Sequence, residues 1–125
     1  MKWGEVFRRG MVFGAALMFL TVSYASADAS AGKALFEGAG KCGKCHKTTE
    51  KKKVGPGLKG VVARAGEDWI KGWLKDPPAV WKANDAYMQS LKKLMKKESK
   101  PKPTHKTKPL SDQQIADLLD YLKTL

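Results

Sequence analysis

Cys42, Cys45 and His46 stand together in the stretch KCGKCHKTTEKKK, which runs from Lys41 to Lys53 and holds both cysteines and one of the two histidines of a 125-residue chain. Any chemistry has to be made from these few atoms. A C-x-x-C-H sequence suits covalent attachment of haem, because two thiols so spaced add to the two porphyrin vinyl groups while the neighbouring imidazole swings under the iron. Thioethers also cannot be reduced or lost in the way an exposed C-x-x-C disulfide can. Two rival chemistries fit less well. A thioredoxin-like dithiol needs a strand before the motif and a helix after it within a βαβ pattern. A structural zinc site needs four ligands, and the remaining histidine, His105, lies sixty residues past Cys45 in a proline-rich segment rather than at finger spacing.

The elements that must position these residues read as helices. Asp28 to Gly40 predicts a first helix with Ala31, Ala34, Leu35 and Ala39 on one face, capped by Asp28 or Ser30 and broken by Gly38 and Gly40. Lys47 to Arg64 reads as loop, including the lysine run Lys51 to Lys53 and the segment VGPGLKG from Val54 to Gly60. Glu67 to Lys75 places Trp69, Ile70, Trp73 and Leu74 at helical spacing and is stopped by Pro77 and Pro78. A third helix over about Asn84 to Glu98 explains Tyr87, Met88, Leu91, Leu94 and Met95 as buried apolar residues. Pro101, Pro103 and Pro109 exclude a helix from Lys100 to Pro109. Ser111 and Gln114 then form a capping box ahead of a stripe of Ile115, Leu118, Leu119 and Leu122. With no strand pattern and no internal repeat, the expectation is an all-α domain of about four helices with long irregular connections.

Residues 1–27 read as a secretory signal rather than as part of the fold. Lys2, Arg8 and Arg9 precede an apolar run from Met11 to Tyr24, and Ala25-Ser26-Ala27 offers a cleavage site after Ala27. The run is short for a span of about 20 residues, although an uncleaved anchor is the alternative. Either way the remainder, residues 28–125, is expected outside the cytoplasm, in the periplasm. Removing residues 1–27 takes Lys2, Arg8, Arg9 and Glu5 from 24 basic and 12 acidic residues, leaving 21 against 11. A domain this small buries little surface, and two cysteines so close cannot staple distant segments, so a cofactor is the natural reinforcement.

From Asp28 to Leu125 the chain resembles a small bacterial class I c-type cytochrome: a helix leading into C-x-x-C-H, a Gly-Pro-Gly-Leu-x-Gly loop, a Trp-bearing helix and a closing helix introduced by Leu-Ser-Asp. The resemblance implies one covalent haem c with its iron, held by Cys42, Cys45 and His46. It implies first and last helices that cross, setting Gly32, Leu35 and Phe36 against Leu118, Tyr121 and Leu122. It also gives Pro56 a role, its carbonyl accepting a hydrogen bond from the far nitrogen of the His46 ring and fixing the ring's orientation, with a plain glycine turn as the alternative for Gly55 to Gly60. The family's second axial ligand is a methionine in a proline-rich loop before the last helix; here KPTHKTKPLSD stands in that place, with His105 and no methionine. His105 ranks first as second metal ligand, followed by Met95 and Met88, then an open or water-bound iron.

The function implied is a monohaem one-electron carrier rather than an enzyme, of low potential with His/His ligation. A haem enzyme or gas sensor with an open or displaceable sixth ligand is the alternative. Lysines at 41, 44 and 47, at 51 to 53, and at 92, 93, 96, 97, 100, 102, 106 and 108 surround the site residues along the sequence. Electron transfer needs fast encounter and fast release, which long-range attraction to an acidic redox partner supplies. Solubility is the bland reading of such a surface, transient contact with a membrane surface a further one, and nucleic acid is not expected for an exported chain. The carrier is expected to act as a monomer.

Overall fold

The computed structural model describes residues 26–125. The expected export signal therefore lies outside the described residues except for Ser26 and Ala27. Among those residues the fold is all-helical, with six α-helices rather than about four, no strand, and no helix long and apolar enough to cross a membrane.

Helix α1 spans Ala29–Glu37, and Asp28 caps it, its carboxylate accepting from the Ser30 amide at 2.8 Å. The buried face is Gly32 and Phe36 with Leu35 half-buried, while Ala31, Ala34 and Ala39 are exposed. The alanine face expected from periodicity thus points the wrong way. The reason is the partner: α6, Asp112–Leu122, crosses α1 so closely that a Cβ at Gly32 would run into the Asp117 carbonyl. Phe36 then meets Tyr121 edge to face at 5.5 Å, and the Asp28 amide donates to the Asp117 carboxylate at 2.9 Å. The crossing implied by family resemblance is present, with Leu118, Tyr121 and Leu122 buried in it or beside it.

Both halves of the Ser111–Gln114 capping box form, at 2.9 and 3.1 Å, so α6 starts where the sequence places it. Its buried residues serve two clusters: Leu118 and Tyr121 pack with Phe36, whereas Leu119 and Leu122 pack with Val61 and Ile70. Each such side chain contributes about 1.5–3 kcal/mol by leaving water, which makes α6 the spine of the domain.

Two short helices correct the sequence reading. Val61–Ala65 forms α2, all but its last residue inside the segment expected as loop, bracketed by Gly60 at φ 68° and Gly66 at φ 85°. Five residues are too few to show a period, and Val61 is helical because it is buried against Ile70, Leu119 and Leu122. Helix α3, Glu67–Lys75, matches its expected bounds. The prolines that come after it open α4, Pro77–Ala83: Asp76 caps the Ala79 amide at 3.1 Å, and proline is favoured where no intrahelical N–H is needed. Helix α5 is shorter than expected, Ala86–Leu94. Asn84, expected at its start, instead ends α4 in the left-handed region, and Asp85 caps α5 through the Met88 amide at 2.7 Å. At its other end Lys96, at φ 53°, turns the chain so that the Lys97 amide reaches back to Lys92 at 2.8 Å, a Schellman-type stop.

Candidate functional site

Helices α1, α3, α5 and α6 and the segments between them enclose a cavity of about 340 Å³ lined by Cys42, Cys45, His46 and His105, with Trp73 and Met88 among its walls. The cysteines lie on and just after a short 3-10 turn over Cys42–Lys44. Lys41 enters it at φ 53°, and both the Cys45 and His46 amides bond the Cys42 carbonyl, at 3.1 and 3.0 Å. One turn of chain thus presents two free thiols and an imidazole to the same space. Cys42 is half-buried, and burial pushes its thiol pKa up.

The VGPGLKG segment folds back over His46. Gly55 donates its amide to the Cys45 carbonyl at 2.7 Å, Leu58 donates to Lys47 at 2.9 Å, and the Pro56 carbonyl lies 2.8 Å from His46 Nδ1. A carbonyl can only accept, so Nδ1 carries the proton and Nε2 keeps its lone pair. Glycine is needed at 55, since a Cβ there would overlap the His46 ring, meeting Nδ1 at 2.8 Å and Nε2 at 3.0 Å. Burial lowers the His46 pKa, a push that outweighs the Pro56 hydrogen bond, and the Lys97 ammonium lowers it further.

His105 comes from the connection between α5 and α6 and packs against Trp73, the ring centres 5.0 Å apart and the planes tilted by 57°. The two histidine rings lie 6.1 Å apart at 55°. Burial first, and His46 second, push the His105 pKa down to about 4, so both imidazoles are neutral at pH 7 and offer lone pairs rather than charge. His105 Nδ1 is buried with no hydrogen-bond partner. Met88, 1 % exposed on α5, and Met95, at its C-terminal end, line the same cavity.

All the residues singled out from the sequence therefore meet in one place: Cys42, Cys45, His46, Pro56, His105, Met88 and Met95. Sequence reasoning missed the ring contact of Trp73 with His105, having taken Trp73 for core, and missed Lys97, whose ammonium donates to the Thr104 hydroxyl at 2.8 Å. Nothing in a run of lysines singles out the one that turns inward.

An all-helical domain closed around a cavity with two thiols and an adjacent imidazole defines a protein built to hold a porphyrin covalently. The chain belongs to the cytochrome c family, whose model matches residues 29–125; no curated protein and no solved structure matches it. It is a haem-binding electron carrier with covalently attached haem c and its iron, and the C-x-x-C-H motif fits that cofactor. The side chains fit it too, since the thiols, both imidazoles and the unpartnered buried nitrogen of His105 surround a single space.

Proposed function

We propose that this protein is a periplasmic monohaem carrier of low potential, in which Cys42 and Cys45 would anchor the haem and His46 and His105 would ligate its iron. The observation that carries the reading is the 6.1 Å between the two imidazole centres. Imidazoles bound to one metal through nitrogens at about 2 Å each place their ring centres about 6 Å apart. When bound, the haem supplies a one-electron couple. His46 keeps one tautomer and one orientation through Pro56, which raises its strength as a donor. The apolar walls of α3, α5 and α6 exclude water, so little solvent has to reorganise when charge changes.

Two neutral imidazole ligands would favour the ferric state relative to one imidazole and one thioether. Met88 and Met95 line the cavity but stand second: Met88 is already accounted for as core on α5, and Met95 is the half-buried residue that ends that helix. The reading includes no substrate turnover. Export rests on residues 1–27, whose charged start, apolar run and Ala-Ser-Ala end match a signal. For partners, the lysines favour an acidic redox protein. Two apolar residues are exposed, Val54 at 54 % and Leu94 at 49 %, and Lys52, two residues before Val54, bonds the Leu94 carbonyl at 3.2 Å.

Optical and electron-paramagnetic spectra of the haem-loaded protein test the ligand set. Low-spin bis-imidazole signals, replaced in His105→Ala by those of a five-coordinate or water-bound iron, are expected; an unchanged spectrum in that variant would rule His105 out.

A further inference from the structure

His105 sits at mid-span of a segment that almost nothing holds. Among the described residues, positions 101–110 neither donate nor accept a single backbone–backbone hydrogen bond. The cause is in the sequence: Pro101, Pro103 and Pro109 have no N–H, and the residues before them are kept extended. The segment is pinned near its two ends. Trp81 Nε1 donates to the Lys100 carbonyl at 3.2 Å, and Leu110 packs on the cluster of Phe36, Leu118 and Tyr121. Between these points its one hydrogen bond is that of Lys97 Nζ to Thr104 Oγ1, next to His105. The chain adopts a left-handed conformation at Lys96, a non-glycine residue, in the turn that carries Lys97, at a cost of about 1–2 kcal/mol.

The His105 ring packs against Trp73 but has no hydrogen bond to hold it. A ligating imidazole is strengthened when its other nitrogen donates a hydrogen bond. His46 has that support from Pro56, whereas neither ring nitrogen of His105 bonds a described residue. Trp73 lies against the ring, and Leu74, Met88 and Leu91 add apolar wall to the same cavity. A space of that character takes a small neutral molecule more readily than an ion.

We propose that the 101–110 strap swings His105 off the iron and opens a binding site for a neutral diatomic ligand of ferrous haem, with the Lys97–Thr104 hydrogen bond as its latch. The inference rests on His105 being an iron ligand, and the strap then makes the carrier's distal side a ligand-exchange site. Strap opening precedes binding, so the rate of ligand capture has a ceiling set by the protein.

Carbon monoxide is the probe, mixed with the dithionite-reduced, haem-loaded protein and followed by absorbance. The expected result is a rate that levels off as carbon monoxide is raised, with a ceiling lifted roughly three- to tenfold by Thr104→Val and by Lys97→Gln, the span of a charge-assisted hydrogen bond at a partly exposed site. Thr104 is exposed, so its variant folds as the parent does, and the lysine variant checks the same latch from the other side. His105→Ala should bind without any ceiling. If the parent protein takes up no carbon monoxide while His105→Ala does, His105 is a fixed ligand and the strap proposal falls, leaving the carrier reading intact. A ceiling that neither latch variant moves also overturns it. If His105→Ala matches the parent in spectrum and in rate, the ligand assignment itself has failed.

Discussion

The two histidines face one cavity but are held in opposite ways. His46 is locked by local chain: its amide bonds Cys42, its ring bonds Pro56, and Gly55 lies so close that no side chain fits between. His105 is carried on a proline-broken strap with one side-chain hydrogen bond beside it and none on its own buried nitrogen. A site assembled from one rigid and one loosely tethered ligand separates two tasks. Cofactor retention falls to the first side, and the electronic and exchange properties of the iron to the second.

The largest expected effect is a contrast between two deletions. His46→Ala should abolish stable holoprotein, seen as loss of covalent haem stain in gels of the exported chain, whereas His105→Ala should retain haem and change only its spin state. Comparable haem loss in both variants would erase the division of labour. Next in size, His105→Met should raise the midpoint potential by roughly one to three tenths of a volt, part of the span of about 0.8 V that axial ligands command. Protein-film voltammetry reads this directly, and an unmoved midpoint would remove His105 from the coordination sphere.

A smaller effect compares the supports. Gly55→Ala pushes a methyl into the His46 ring and should lower stability by about 1–3 kcal/mol, as overpacking does. Loss of the exchange-protected Nδ1 proton resonance should accompany it. Thr104→Val should cost less than about 1 kcal/mol, because an exposed hydrogen bond contributes little to the folded state. Thermal unfolding of both holoproteins checks the pair, and equal losses would mean the strap is as firmly built as the loop over His46.

The sequence disclosed the rigid side better than the loose one, for physical reasons. C-x-x-C-H and Gly-Pro-Gly act within a dozen residues, so their geometry is set by local chain, and the Pro56 bond forms as the family resemblance implies. The capping box of α6 and the bounds of α3 are likewise local signals. What periodicity misjudged depended on distant partners: the buried face of α1 is chosen by the approach of Asp117 at Gly32, and α2 is helical because Val61 has Ile70, Leu119 and Leu122 to pack on. Pro77 and Pro78 carried two messages, a stop for α3 and a start for α4. Only the stop was legible without knowing that Asp76 caps α4. On the loose side, His105 was visible as a position, but the inward turn of Lys97 was not, because a left-handed lysine has no signature in composition.

The smallest effect concerns which side meets a partner. Lys52 and Lys53 are tied down, the first to the Leu94 carbonyl and the second to the Gly43 carbonyl at 3.2 Å, beside exposed Val54 and near the cysteines. Lys106 and Lys108 ride on the strap and form no hydrogen bond or salt bridge with another described residue. If docking occurs on the rigid side, where electron transfer has least to reorganise, Lys52→Gln with Lys53→Gln should slow association with an acidic redox partner roughly two- to threefold per residue at low salt. Lys106→Gln with Lys108→Gln should then have less effect, and both differences should shrink as ionic strength passes about 0.1 M and the screening length falls to about 10 Å. Stopped-flow rates against ionic strength separate the pairs. A larger loss from the strap lysines would place the partner over His105, where binding would also bear on the latch, and carbon monoxide uptake would then slow in the complex.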